Sequence, residues 1–254
     1  MSRPSQDPAA WAAARRAEAA RTLNAGRGEV LARSQERLSQ VDSALSQIGD
    51  SLQRARELAV MAASETMGTD QLAAIAAELH GLHQSALAAA NTRASDGEYI
   101  LAGSQAAEPP FDPTGAYQGD DLTLQVETQS GLERPVTLSG ALLTASSGVD
   151  IFAELNAFET ALAANDRGGI AAAIDALSAA NQQVSSARAD GGAHSASLVA
   201  AGEVQRDLDT SLAALQSRLV AADPIAAASE LAQQSQALEA AQAVATRIVD
   251  LTRP

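Results

Sequence analysis

The chain contains neither cysteine nor lysine. The first absence excludes disulfides, thiolate metal sites and cysteine nucleophiles. The second removes the residue that grips phosphate in a nucleotide loop, and no GxxxxGK[ST] run is present. Aromatics are scarce too, at 2% of 254 residues, although 46% of positions are hydrophobic. The apolar content is therefore mostly Ala, Leu, Val and Ile, which suits thin cores between closely packed helices rather than a deep pocket. No apolar run approaches the ~18 residues of a membrane span. The opening MSRPSQDPAAW lacks the charged-then-apolar layout of a secretory signal peptide. Net charge is −14, which leaves no basic patch for nucleic acid or an anionic membrane, so neither is expected as a partner.

Catalytic signatures are missing as well. HGLH (80–83) sets His80 and His83 three residues apart on a helix, a metal-compatible spacing, but no third His lies nearby and there is no HExxH. Both are read as packing or solvated side chains. His194, in DGGAHS, is expected in a loop. No GxSxG elbow accompanies the many serines, and the carboxylates scatter along helix faces, where they keep a helix soluble. No catalytic residue, cofactor or metal is assigned, and the chain is not expected to be an enzyme.

What is present is helical periodicity. Leu31, Leu38, Val41, Leu45, Ile48, Leu52, Ala55, Ala59 and Ala62 form a seam of three- and four-residue steps, with Ser34 between Leu31 and Leu38. A helix over 28–65 would be roughly 57 Å long at about 1.5 Å per residue. SETMGTD (64–70) reads as a turn, after which Leu72, Ile75, Leu79, Leu82, Ala86 and Ala89 resume the seam, giving an antiparallel helical hairpin. Toward the other end, Leu198, Ala201, Gln205, Leu208, Leu212, Leu215 and Leu219 repeat the pattern. Asp223-Pro224 then reads as an N-cap, and Leu231, Leu238, Ala241, Ala245 and Ile248 continue the seam. Between the ends, Leu122, Leu124 and Val126 alternate with polar residues; Gly131 suits a turn, with Val136 and Leu138 on a returning strand. Phe152, Leu155, Phe158 and Leu162 restore helical spacing from Asp150, and a further helix follows Gly168-Gly169.

The expected fold is mainly α: an elongated helical bundle or coiled-coil rod built from both chain ends, with a small inserted β-rich domain. The boundaries are 1–102 for the N-terminal part of the rod, 103–149 for the insert and 150–254 for the C-terminal part. NTRASDGEYILAGSQAAEPPFDPTGAY (91–117) marks the joint, where three of the six aromatics arrive among Gly and Pro. Asn91, Gly97, Tyr99, Gly103, Phe111 and Tyr117 are its candidate residues, with Tyr99 and Phe111 as large apolar anchors.

Four stretches resemble the flagellin superfamily and, within it, the hook-associated protein 3 family of hook–filament junction proteins. RPSQDPAAW (3–11) is similar to the segment that enters the first core helix, and LQRARELAVMAAS (52–64) to a flagellin core helix. ANTRASDGEYILAGS (90–104) with PPFDPTGAYQGDD (109–121) resembles the junction family's signature, although Leu101 stands where that family often has Phe. AADPIAAASELAQQSQALEAAQAVATRI (221–248) resembles its C-terminal helix. The resemblance implies a structural adaptor joining hook to filament, located outside the cell on the flagellum and exported through the flagellar apparatus. It implies as partners other copies of the chain, a neighbouring hook-associated protein, flagellin and an export chaperone. It also implies subunit-interface candidates at Asp7, Trp11, Arg54, Arg56, Glu57 and Leu58. The family's opening segment ahead of Arg3 and its S-L-L-x-x-L ending are missing, so a core lacking both terminal arms, monomeric by itself, is expected. Filament flagellin is the nearest alternative. A ligand of an innate immune receptor, read through Arg54, Glu57 and Leu58, is another.

Overall fold

The structure, a computed structural model, describes residues 8–64, 67–129 and 132–220, together with 232–236, 239 and 242. Asp7, the Asp223-Pro224 cap and the seam positions Leu231, Leu238, Ala241, Ala245 and Ile248 lie outside the described residues. In chain order the elements are α1 (Pro8–Ala62), α2 (Thr69–Ala90), β1 (Gln125–Gln129), β2 (Leu132–Pro135), two 3-10 turns, α3 (Ile151–Ala163) and α4 (Arg167–Val220). The chain divides into two compact units, Arg27–Val204 and a smaller one formed by Met1–Gly26 with Gln205–Pro254. The architecture is mainly α with one small antiparallel ribbon.

In the larger unit, every residue of the expected α1 seam from Leu31 to Ala62 is buried. Ser34, the polar interruption, is buried as well, and its hydroxyl donates to Val30 O at 2.9 Å, so the seam is not broken by an unpaired group. The helices run antiparallel, as their cross-links show. Arg54 Nε donates to Glu78 Oε1 at 2.7 Å between α1 and α2. Arg188 Nε donates to Asp42 Oδ1 at 2.8 Å and Arg167 reaches the carbonyl of Ala62, which sets α4 against α1 in the opposite sense. Small residues permit the close approach: a Cβ on Gly49 would lie 3.7 Å from Val184 Cγ1. Phe152, Leu155, Phe158 and Leu162 of α3 are buried in the same core, and Asp150 caps that helix by accepting from Ala153 N at 3.0 Å.

Two expectations differ from what the structure holds. DGGAHS (190–195) is helix within α4, not a loop. Two glycines in a helix interior cost about 1 kcal/mol each, but the flanking seam is buried on both sides at Val184, Ala187 and Leu198. Gly191 also serves packing, since a Cβ there would come within 3.2 Å of Leu138 Cδ1. The ribbon differs as well. Leu122 and Leu124 precede β1 and are 60% and 49% exposed, while Val136 and Leu138 lie past β2 and are buried. The alternation therefore marks a short two-stranded ribbon entered by exposed leucines; Val126 of β1 is partly buried against the core, and the buried Val136 and Leu138 belong to that core. Register pairs Glu127 with Glu133, and Arg27 Nη2, 3.7 Å from Glu127 Oε1, offsets that like-charge pairing.

In the smaller unit, Ala14 and Ala17 of α1 are buried. Asn24 Nδ2 donates to Gln205 O at 2.8 Å, while Arg21 Nε donates to Asp209 Oδ1 at 3.0 Å. Gln205, the polar member of the α4 seam, is buried, but Leu208 and Leu215 are 47% and 40% exposed, so the heptad continues in sequence beyond what it buries here. Among the described residues no helix is long and apolar enough to cross a membrane.

Candidate assembly surface and the Asn91–Tyr117 joint

The surface candidates divide by helical geometry. Positions 54, 56 and 57 fall on the outer side of α1, where Arg54, Arg56 and Glu57 are exposed. Arg54 Nη1 donates to Glu57 Oε2 at 3.0 Å in addition to its bond to Glu78. These two carboxylates raise the Arg54 pKa, the Glu78 bond contributing most. Among the described residues Arg56 makes no such contact, and Val60, one turn on, is exposed with Met61. Leu58 differs from its neighbours: it is fully buried in the seam with Leu52 and Ala55, so it presents nothing to a partner. A receptor reading through Leu58 loses that contact for the same reason. In the smaller unit Trp11 is 48% exposed, with the Arg15 guanidinium 5.8 Å from its ring centroid.

The joint is built from one side chain that imitates a strand. Asn91 caps α2, its N–H donating to Leu87 O at 3.0 Å. Its carboxamide then pairs with the backbone of Phe111 in both directions: Nδ2 donates to Phe111 O at 2.9 Å and Phe111 N donates to Oδ1 at 3.0 Å. That pairing delivers the Phe111 ring to the core, where it packs against Phe152 at 5.0 Å and Tyr117 at 5.1 Å between centroids. Tyr99 is buried, with Arg93 Nη2 donating to its hydroxyl at 2.8 Å and the guanidinium 4.3 Å from the ring centroid. Gly97 and Gly103 have φ of +86° and +67°, left-handed values that L side chains rarely adopt. A Cβ on Gly103 would also collide with Asp120.

Tyr117 Oη sits at the centre of a polar knot, 2.7 Å from Asp120 O and 2.9 Å from Ser139 Oγ. Burial pushes the Tyr117 phenol pKa up. Asp120 accepts from the Ser104 hydroxyl and from Ser104 N, the latter at 2.8 Å, and these bonds lower its pKa, the hydroxyl most.

Several organising residues had no distinguishing mark in the sequence. Arg167 Nη1 donates to Ala62 O at 3.1 Å and Ser64 O at 2.8 Å, and Nη2 donates to Met67 O at 3.1 Å, closing the α1–α2 turn from the start of α4. Gln183 Nε2 donates to Leu142 O at 2.8 Å and Val149 O at 3.1 Å, while its Oε1 accepts from Val149 N at 2.8 Å. Asp120 alone of this set lay within a quoted motif, the end of PPFDPTGAYQGDD. Of the two histidines on α2, His83 is buried and its Nδ1 lies 3.1 Å from Glu159 Oε1, whereas His80 is exposed. Among the described residues no group of three or more His, Asp or Glu is arranged to hold a metal ion.

Residues 1–106 match the bacterial flagellin N-terminal helical region. The chain is 29% identical to flagellar hook-associated protein 3 of Salmonella typhimurium over 142 residues, covering 56% of this chain and 45% of that protein. It spans less than half the length of the curated relatives it matches, 45% and 42%. Among solved structures, Xanthomonas campestris FlgL aligns with a TM-score of 0.66 at 21% identity, over 80% of this chain and 99% of that one. The flagellar junction protein FlgL from Legionella pneumophila aligns at 0.61 and 15% identity, over 82% and 100%. At these identities the structural likeness is one of fold. The chain is thus similar over residues 1–106 to the flagellin N-terminal helical region, and it shares the fold of the solved FlgL structures.

Proposed function

We propose that this chain is a structural adaptor of the bacterial flagellum that joins hook to filament, and that it is not an enzyme. The observation that carries the reading is that the two curated relatives, at 29% and 30% identity, are both flagellar hook-associated protein 3. They favour the adaptor over a filament flagellin. The mechanism is geometric. With its seam buried from Leu31 to Ala62, α1 presents a charged outer face, and charges at the rim of a contact set register and specificity more than affinity. Arg54, Arg56 and Glu57 supply such a face on α1, and Trp11 supplies an exposed aromatic of the kind that anchors interfaces. The Asn91–Tyr117 joint holds residues 103–149, the segment proposed to face outward and vary, in fixed register with the helices. The proposed neighbours are further copies of the chain, an adjoining hook-associated protein and flagellin, with an export chaperone before assembly. The proposed location is the outside of the cell, reached through the flagellar export apparatus, and the chain by itself is proposed to be monomeric.

Deleting the gene tests the adaptor role. The expected phenotype is hooks without filaments and flagellin shed into the medium, with filaments restored by the full-length gene. Normal filaments on the deletion strain would overturn it.

A further inference from the structure

In the smaller unit, α4 carries two candidate seams, and the structure uses the more polar one. The heptad of the sequence runs through Gln205, Leu208, Leu212, Leu215 and Leu219. The covered face runs instead through Gln205, Asp209, Leu212, Gln216 and Leu219, which are buried or half-buried, while Leu208 and Leu215 are 47% and 40% exposed. Both seams share Gln205, Leu212 and Leu219. They differ in taking Asp209 and Gln216 or the leucine just before each. At about 100° per residue, exchanging one seam for the other is a roll of about 40° of α4 against α1.

The bonds show what selects the polar seam. Arg21 of α1 donates from Nε to Asp209 Oδ1 at 3.0 Å and from Nη1 to Gln216 Oε1 at 3.1 Å, so one guanidinium holds two residues two turns apart. One turn along α1, the buried Asn24 donates from Nδ2 to the main-chain carbonyl of Gln205 at 2.8 Å. A main-chain acceptor does not follow a rotamer, so this bond sets register as a buried Asn does in a coiled coil. Shape adds little, because the buried α1 residues beside these two are Ala14 and Ala17, whose side chains make shallow ridges. The clamp is also open to water: the Arg21 and Asp209 side chains are 38% and 41% exposed, where an ion pair is weak and screened by salt. Against it stands the apolar surface of Leu208 and Leu215, which burial draws inward.

We propose that Arg21 and Asn24 form a polar clamp that holds this helix pair in a leucine-out seam, and that releasing the clamp rolls α4 into the leucine-in seam of its heptad. The pair is thus a two-state device. One state keeps Leu208 and Leu215 at the surface, and the other withdraws them. This inference does not depend on the adaptor role.

The chain has no cysteine, so one introduced thiol reports one position of the full chain. Leu215→Cys keeps an apolar side chain at the switching position. Ser217→Cys, at an exposed position away from both seams, is the reference. Labelling by a water-soluble maleimide is expected to be fast at both positions at low salt. Adding Arg21→Leu, or raising sodium chloride to about 1 M without it, should slow labelling at 215 by about fivefold or more and leave 217 unchanged. Asp209→Leu with Gln216→Leu removes the acceptors of Arg21 but makes the present seam apolar, so labelling at 215 should stay fast there. Unchanged labelling at 215 under either release condition overturns the proposal, as does equal slowing at 217 or protection in the Asp209→Leu, Gln216→Leu chain. Faster labelling with Arg21→Leu would mean that the pair opens rather than rolls, and overturns it. Protection that grows with protein concentration would mean that a second copy covers the leucines, and overturns it too.

Discussion

Replacing Arg167 tests whether the α1–α2 turn is held from a distance. Its guanidinium makes three bonds, of 3.1, 2.8 and 3.1 Å, to the carbonyls of Ala62, Ser64 and Met67, and Ser64 O also accepts from Met67 N at 3.2 Å within the turn. Carbonyls at the end of a helix carry the negative pole of its dipole, so a cation there is favoured by about 0.3–1 kcal/mol. A hydrogen bond to a charged group contributes about 1.5–3 kcal/mol when buried. Two of these bonds are exposed and only the one to Ala62 is partly buried, so the sum must be discounted for water. Arg167→Ala is therefore expected to cost about 2 kcal/mol in total. Urea unfolding of the full chain, followed by helical circular dichroism, reads this directly. With a slope of about 2 kcal/mol per molar, the midpoint should fall by about 1 M at unchanged slope. Arg167→Lys separates charge from geometry: an ammonium keeps the dipole term but cannot bridge three carbonyls, so about half the loss should remain. An alanine variant within about 0.5 kcal/mol of the parent would refute the reasoning. So would a lysine variant as stable as the parent, which would show that charge alone suffices.

Asn91→Ala removes both bonds to Phe111 and should cost about 2 kcal/mol, at about 1 kcal/mol for each bond, measured by thermal unfolding. Gly115→Ala should destabilise by about 1–3 kcal/mol, because φ is +85° and a Cβ would lie 2.8 Å from Phe152 Cγ; an unchanged melting temperature would count against that packing. Asp120 has a folded pKa below its unfolded value, so its contribution is present above an unfolded pKa near ~3.9 and is lost as pH falls through the folded one. Asp120→Asn should remove that part of the acid dependence, read from unfolding midpoints across the acid range. Tyr117 has a raised pKa, so its contribution is present below an unfolded pKa near ~10 and is lost as pH rises through the folded one; Tyr117→Phe should flatten the alkaline limb.

Residues differ in how far they could be read from the chain because some contacts are periodic and others are not. The α1 seam could be read position by position, since a heptad is a local pattern and burial follows it from Leu31 to Ala62. Phe111 and Tyr99 stood out because large rings are rare in an Ala-rich chain, and both are buried. Leu58 was named with Arg54 and Glu57 because LQRARELAV resembles a flagellin stretch, but motif matching does not see burial, and here the side chain lies in the seam with Ala55 and Ala59. Arg167 could not be anticipated, for its acceptors lie about 100 residues earlier and are backbone carbonyls, which carry no side-chain signature. Gln183 is the same case: one polar residue among many on a helix, distinguished only by which turn lies against it.

The sequence by itself determined the α1–α2 hairpin, the buried α1 seam from Leu31 to Ala62, the helix after Asp150 and the absence of cysteine chemistry, because each follows from residue type and spacing along the chain. The tertiary structure decided that α4 runs unbroken through DGGAHS, that Leu122 and Leu124 stay exposed while Val136 and Leu138 are buried, and which polar side chains close the turns. The reason is energetic. A glycine's cost of about 1 kcal/mol, or one net hydrogen bond of similar size, is smaller than the burial gained by packing neighbouring segments, so the neighbours settle it.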